Sequence, residues 1–161
     1  MNARLDVIGI GNAMVDAFIP STKEEIEKNK LTRNSMNLID EKLKNKLHNN
    51  YSIKEMIGGG SVGNSMFGIT SFGGNGSFIG KIKEDKIGKF LQEDMIRHGL
   101  NFPLGFTSPD VSTGCCTIFV EEDGTRTMCT YLGAGTLISP EDIKNEDIKN
   151  HQIAYLEGYL W

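Results

Sequence analysis

The chain opens on a short apolar run, Leu5-Asp6-Val7-Ile8-Gly9-Ile10-Gly11, β-branched and closed by glycine, which is the pattern of a buried strand. After Asn12 comes a second extended run, Met14-Val15-Asp16-Ala17-Phe18-Ile19, broken by a single acid at Asp16. Pro20-Ser21-Thr22 then opens a helix, with Ser21 and Glu24 spaced as a capping box and Glu24-Glu25 in the first turn, where the helix dipole favours them. Residues 33–39 alternate as a strand does, and a polar helix is predicted over 40–48. From position 53 the elements run strand (53–57), helix (61–72), strand (77–80) and helix (87–98), the succession of βαβ units and a parallel sheet. In the last helix Ile87, Phe90, Leu91, Met95 and Ile96 share one face, and Gly99 is the stop signal.

A hairpin follows. Segments 115–120 and 125–131 flank Glu122-Asp123-Gly124, and Asp-Gly is a strong hairpin turn. Ser139-Pro140-Glu141-Asp142 puts Ser at the N-cap and Pro at the first position of another helix. Residues 153–156 read as a buried parallel strand, followed by Tyr159, Leu160 and Trp161. Such a strand needs a crossover helix to cover it, so the domain is expected to be incomplete at its C-terminal end.

Composition narrows the function classes. A chain of 161 residues with 39% hydrophobic and 24% charged residues suits one globular domain. No apolar run approaches the ~20 residues of a membrane span, and a net charge of −4 without a basic face argues against nucleic acid. Cys115, Cys116 and Cys129 make no disulfide framework, and His48, His98 and His151 lack metal-ligand spacing. Met1-Asn2-Ala3-Arg4 leads directly into a strand rather than a signal peptide, so a reducing cytoplasm is expected.

The 19 glycines form two clusters, and these carry the candidate chemistry. Gly9-Ile10-Gly11-Asn12-Ala13-Met14 begins like a dinucleotide fingerprint, but Met14 stands where the third glycine must be, which argues against a nicotinamide cofactor. Asp16 lies among apolar neighbours; it either meets a partner or ligand, because an unpaired buried charge is costly, or faces solvent on an edge strand. Gly58-Gly59-Gly60-Ser61-Val62-Gly63-Asn64-Ser65 lacks the lysine of a Walker loop. Three glycines before a helix remove every Cβ and bare the backbone N–H groups. Such a loop grips hydroxyls or an anion, or it is a tight strand-to-helix turn with Asn64 satisfied internally.

Five motifs in order carry a resemblance: Gly11-Asn12-Ala13-Met14-Val15-Asp16; Gly59-Gly60-Ser61-Val62-Gly63-Asn64; Phe78-Ile79-Gly80-Lys81; Ser112-Thr113-Gly114; and Asp123-Gly124-Thr125-Arg126. Across essentially its whole length the chain resembles the PfkB (ribokinase-like) sugar kinases. The Gly-Asn-x-x-x-Asp opening and the closing Tyr155-Leu156-Glu157-Gly158-Tyr159-Leu160-Trp161 are most similar to the adenosine-kinase-like members. Val62-Gly63, Met66 and Lys83 depart from the family pattern in ways that bear on the substrate rather than the family.

The resemblance implies an α/β fold: a ribokinase-like, Rossmann-type parallel sheet with helices on both faces and a small β lid drawn from about residues 12–39 and 112–131. Residues 1–161 would be its N-terminal, substrate-binding part, with the C-terminal ATP-binding part absent. It further implies that Asp16 accepts charge-assisted hydrogen bonds from two sugar hydroxyls, that Gly59, Gly60 and Asn64 fix the others, and that Asn12 lines the same cleft. Met36 and Leu38 fall in the lid, where they cover a nucleobase or sugar face or else pack in a core; the hairpin closes the rest and excludes water. Glu157 matches a position tied in some members to a magnesium and phosphate network, or is a plain surface carboxylate.

In the family the catalytic Asp belongs to a downstream Gly-Ala-Gly-Asp motif. Gly133-Ala134-Gly135-Thr136 resembles it but carries Thr in place of the base and comes too early. No catalytic residue and no direct metal ligand is therefore expected here, although ATP and Mg2+ are implied for the family. The reading is ATP-dependent phosphorylation of a sugar or nucleoside hydroxyl, an adenosine-like nucleoside first, with this chain supplying the acceptor half and inactive alone. The alternative is a non-catalytic sugar- or nucleoside-binding module derived from such a kinase. A homodimer through the lid or the open sheet edge is the expected protein contact.

Overall fold

Two sheets organise the chain. The computed structural model describes residues 5–103 and 105–160, so Met1-Asn2-Ala3-Arg4 and the terminal Trp161 of the sequence motifs lie outside the described residues. The first sheet is all parallel, in the order β10 (His151–Leu156), β1 (Leu5–Ile10), β5 (Gly76–Ile79). The period-two alternation of β1 sends its side chains to opposite faces. Val7 joins Phe78 beneath Val62 and Met66 of α3 (Ser61–Ser71) and Leu91 and Met95 of α4 (Lys86–Arg97). Ile8, Ile10 and Ile79 pack on the other face against Ile138, Ile143 and Ile148, carried by two 3-10 turns, Gly133–Leu137 and Pro140–Asp142, and by α5 (Asn145–Lys149). β1 and β5 are thus covered on both faces, as strands of a parallel sheet usually are.

The second sheet is mixed, in the order β3 (Met36–Leu38), β9 (Arg126–Tyr131), β8 (Gly114–Val120), β2 (Met14–Pro20), β4 (Glu55–Gly59). Its β8–β9 hairpin turns at Gly124, whose φ of +83° suits glycine. Ile19, Phe119 and Cys129 on one face bury Ile26 of α1 (Lys23–Lys28) and Leu47 of α2 (Glu41–Asn50). The opposite face carries Met14, Cys116 and Ile118, with Met36 and Leu38 standing open beside them. The short strands β6 (Ile82–Lys83) and β7 (Phe106–Ser108) pair separately.

Several local expectations shift. The capping box is Thr22 with Glu25, one residue later than Ser21 and Glu24, because the Ser21 N–H is committed to Val120 O of β8. The strand expected over 53–57 runs over Glu55–Gly59, absorbs two glycines, and pairs antiparallel with β2 instead of joining the parallel sheet. Pro140 starts only a 3-10 turn, and α5 begins separately after Lys144. Ile96 lies off the packed face of α4 and is exposed. β10 pairs with β1 in parallel as expected, yet it is the edge strand and Ile153, Tyr155 and Leu156 are exposed.

Candidate functional site

Parallel pairing of β1 with β10 places Ile10 opposite Leu156, so the residues just beyond each strand, Asn12 and Glu157, emerge side by side. The backbone N–H and the side-chain Nδ2 of Asn12 both donate to Glu157 Oε1 at 2.7 Å. The other oxygen, Oε2, accepts from Ser61 Oγ at 2.5 Å, at the start of α3. Glu157 is only 7% exposed, and these charge-assisted bonds are what make a buried carboxylate tolerable. It is not the surface carboxylate that was the alternative. A Cβ on Gly11 would lie 2.8 Å from Glu157 Cδ, which is why this approach requires glycine. Asn12 Oδ1, equally buried, has no hydrogen-bond partner among the described residues and faces Gly135 of the first 3-10 turn.

Above this hub lies a cavity of about 360 Å³, the size of a small-ligand site. Its walls divide by chemistry. Asn12, Ser61, Thr130, Thr136 and Glu157 are polar; Met14, Met36, Leu38 and Leu132 are apolar; Gly60 lies between, bare of side chain. Met36 and Leu38 are 58% and 66% exposed, so they are not core residues: they face open space across the cavity. Gly133-Ala134-Gly135-Thr136 winds as a tight turn in which Thr136 Oγ1 donates to Gly133 O at 2.9 Å.

Asp16 lies two residues along β2 from Met14, on the same face. It is not on an edge strand, being flanked by Cys116 of β8 and Ile57 of β4. Its half-buried carboxylate has no protein hydrogen-bond partner among the described residues, and burial pushes its pKa above the usual 3.8. A Cβ on Gly59 would sit 2.6 Å from Asp16 Cγ, so the acid and the glycine loop are in intimate contact. Gly60 has φ +84°, and a Cβ there would lie 2.7 Å from Asn12 O.

Of the residues singled out by sequence, the structure brings Asn12, Met36, Leu38, Gly60 and Glu157 to one cavity and sets Asp16 against Gly59 beside it. Asn64 sits one turn beyond Gly60, its N–H donating to Gly60 O at 2.9 Å, with its side chain exposed outside the cavity lining. Ser61 and Thr136 went unrecognised as site residues; the signal for Ser61 was its place directly after three glycines at a helix start. Among the described residues no three His, Cys, Asp or Glu side chains gather as metal ligands, and no helix is long and apolar enough to cross a membrane.

The profile of the pfkB family carbohydrate kinase matches residues 23–161. The structure superposes on an adenosine kinase from Sinorhizobium meliloti with a TM-score of 0.87, at 34% identity, covering 99% of this chain and 49% of that one. A "probable sugar kinase protein" from Rhizobium etli CFN 42 gives a TM-score of 0.87 at 32% identity, over 99% of this chain and 48% of the other. A bifunctional ribokinase/ribose-5-phosphate isomerase A of Fructilactobacillus sanfranciscensis is 28% identical over 86 residues, 53% of this chain and 16% of that protein. The chain therefore spans about half the length of the solved kinases it resembles. From the matched profile and the shared two-sheet architecture it follows that this chain belongs to the pfkB family of carbohydrate kinases.

Proposed function

We propose that this chain forms the acceptor-binding part of an ATP-dependent kinase that phosphorylates a hydroxyl of a nucleoside or sugar, an adenosine-like nucleoside first. The observation that carries the reading is a cavity where Met14, Met36 and Leu38 of the mixed sheet meet Asn12, Ser61 and Glu157 at the end of the parallel sheet, with the Asp16 carboxylate, unpartnered among the described residues, against Gly59 beside it. A nucleoside likewise joins a flat base to a polyhydroxylated ring. Asp16, an acceptor only, regains from two ring hydroxyls the hydrogen bonds it lost on burial. Gly59 and Gly60 let the ring approach the backbone and Asn12 offers its orphan Oδ1, while Asn64, exposed outside the lining, reaches a ring hydroxyl only by turning its side chain toward the glycine loop. Met36 and Leu38 cover the base and exclude water.

Glu157 in this reading orients Asn12 and Ser61. Its Oε2 accepts only from Ser61 and keeps a lone pair for the magnesium and phosphate network that the resemblance implies. The family's ATP and Mg2+, and the base that takes the hydroxyl proton, are assigned to residues outside this sequence, so the 161 residues bind the acceptor without turning it over. Likeness to the Sinorhizobium adenosine kinase supports a nucleoside, and likeness to the Fructilactobacillus ribokinase supports a plain sugar. Three free, buried thiols agree with a cytoplasmic setting.

A binding module without catalysis is the second reading, favoured by the open edge strand β10, on which Ile153, Tyr155 and Leu156 are exposed. Calorimetry with adenosine and with ribose, beside an ATP-coupled assay, separates these. Adenosine is expected to bind more tightly than ribose without ATP turnover, and joining the second half of a family kinase is expected to restore turnover. Binding of neither ligand overturns both readings; binding that never leads to turnover in the joined protein leaves only the module.

A further inference from the structure

A buried acid lies outside the cavity and outside every sequence motif. Asp94, in α4, is 6% exposed, and its Oδ2 accepts the backbone N–H of Gly58 at 2.9 Å. Gly58 belongs to β4, the edge strand of the mixed sheet, where outward N–H groups have no neighbouring strand to bond. The acceptor comes instead from α4, which packs against β4 and β2. The bond therefore pins the edge strand to the helix that covers it.

The surroundings hold Gly58 closely. A Cβ there would lie 2.6 Å from Phe67 Cζ, and the Phe67 ring meets the His98 ring edge-on at 5.1 Å. Arg97 Nη1 and His98 Nδ1 each lie 3.5 Å from Asp94 Oδ1. Both are exposed, and such pairs contribute little, whereas the Gly58 bond is buried and made to a charged acceptor. The next two residues are the ones that touch the ligand machinery: Gly59 abuts Asp16, and Gly60 abuts Asn12 O. Neither position has room for a Cβ, so the loop backbone packs directly on Asp16 and on Asn12 O.

We infer that Asp94 is a positioning residue for the ligand site: by fixing Gly58 to α4 it sets Gly59 and Gly60 against Asp16 and Asn12. The inference takes its ligand from the proposed function, while the latch itself is independent of it.

The test compares the chain with its Asp94→Asn, Asp94→Ala and Met95→Val variants. Met95 is a core neighbour that makes no bond to the loop. Adenosine affinity is measured by calorimetry and the Gly58 amide by NMR-detected hydrogen exchange, well below each melting temperature. Asp94→Asn keeps a carbonyl acceptor and is expected within about threefold of wild type on both measures. Asp94→Ala is expected to weaken adenosine about tenfold or more and to speed Gly58 exchange by a similar factor. Met95→Val is expected to lower the melting temperature and change neither. If Asp94→Ala does not fold, Asp94→Ser, too short to reach Gly58, replaces it. Wild-type exchange and affinity in the truncated variant, or the same losses in Met95→Val, overturn the inference. A wild-type chain that binds neither adenosine nor ribose overturns the proposed function, and Gly58 exchange alone then decides for or against the latch.

Discussion

Glu157 and Asn12 stand 145 positions apart in the chain and are joined by two 2.7 Å hydrogen bonds into one carboxylate oxygen. The second oxygen holds Ser61. Three distant segments, after β1, after β10 and at the head of α3, thus converge on one buried charge, and the polar wall of the cavity exists only when both strands are paired.

Removing that charge leaves the buried Asn12 donors without an acceptor and frees the Ser61 hydroxyl. Glu157→Ala is expected to lower unfolding free energy by about 3 kcal/mol, read from urea denaturation, and to weaken adenosine binding in parallel. Glu157→Gln keeps one good acceptor and should fall between. Wild-type stability in both variants would assign the carboxylate to a ligand instead of to the hub.

Asp16 acts in the opposite sense on stability. Its carboxyl, raised above 3.8 by burial, holds its proton more tightly in the folded chain than in the unfolded one. Its contribution is therefore present at acid pH and is lost as pH rises through the raised value. Asp16→Asn should melt at or above the wild-type temperature near neutrality, with the difference shrinking as pH falls below 3.8. The same variant should weaken nucleoside binding by about 1.5–3 kcal/mol, the range for a hydrogen bond to a charged group. Unchanged affinity by calorimetry would mean that Asp16 holds no hydroxyl.

Gly59 tests the contact between loop and acid. In Gly59→Ala the new Cβ must displace Asp16, so ligand affinity should drop about tenfold or more. The double variant with Asp16→Ala should show a coupling energy of about 1 kcal/mol or more in a mutant cycle, and strict additivity would contradict the contact.

The thiols are predicted to be inert. Burial pushes Cys115 and Cys129 up to about 12 and Cys116 to about 11, so all three stay protonated in mild alkali. Native chain should release almost no chromophore from a disulfide reagent near pH 8, while the unfolded chain should release three equivalents. Rapid labelling of the native chain would show that the mixed sheet opens readily.

Segments whose physics is local were legible in the chain itself. The β-branched run of β1, the Asp123-Gly124 hairpin, the glycine-led helix α3 and the carboxylate in β2 all announce themselves through periodicity and turn chemistry. Their ordered motifs were enough to indicate the family. Partner choice was not legible, because a strand's own residues do not say which neighbour it pairs with. β4 was therefore read into the parallel sheet although it pairs with β2, and β10 was read as buried although it forms an edge. The same holds for Glu157, Ser61 and Asp94. Each is an ordinary residue in its own segment, and its role comes from donors and acceptors delivered by strands and helices far away in sequence, which only the tertiary packing brings within hydrogen-bond reach.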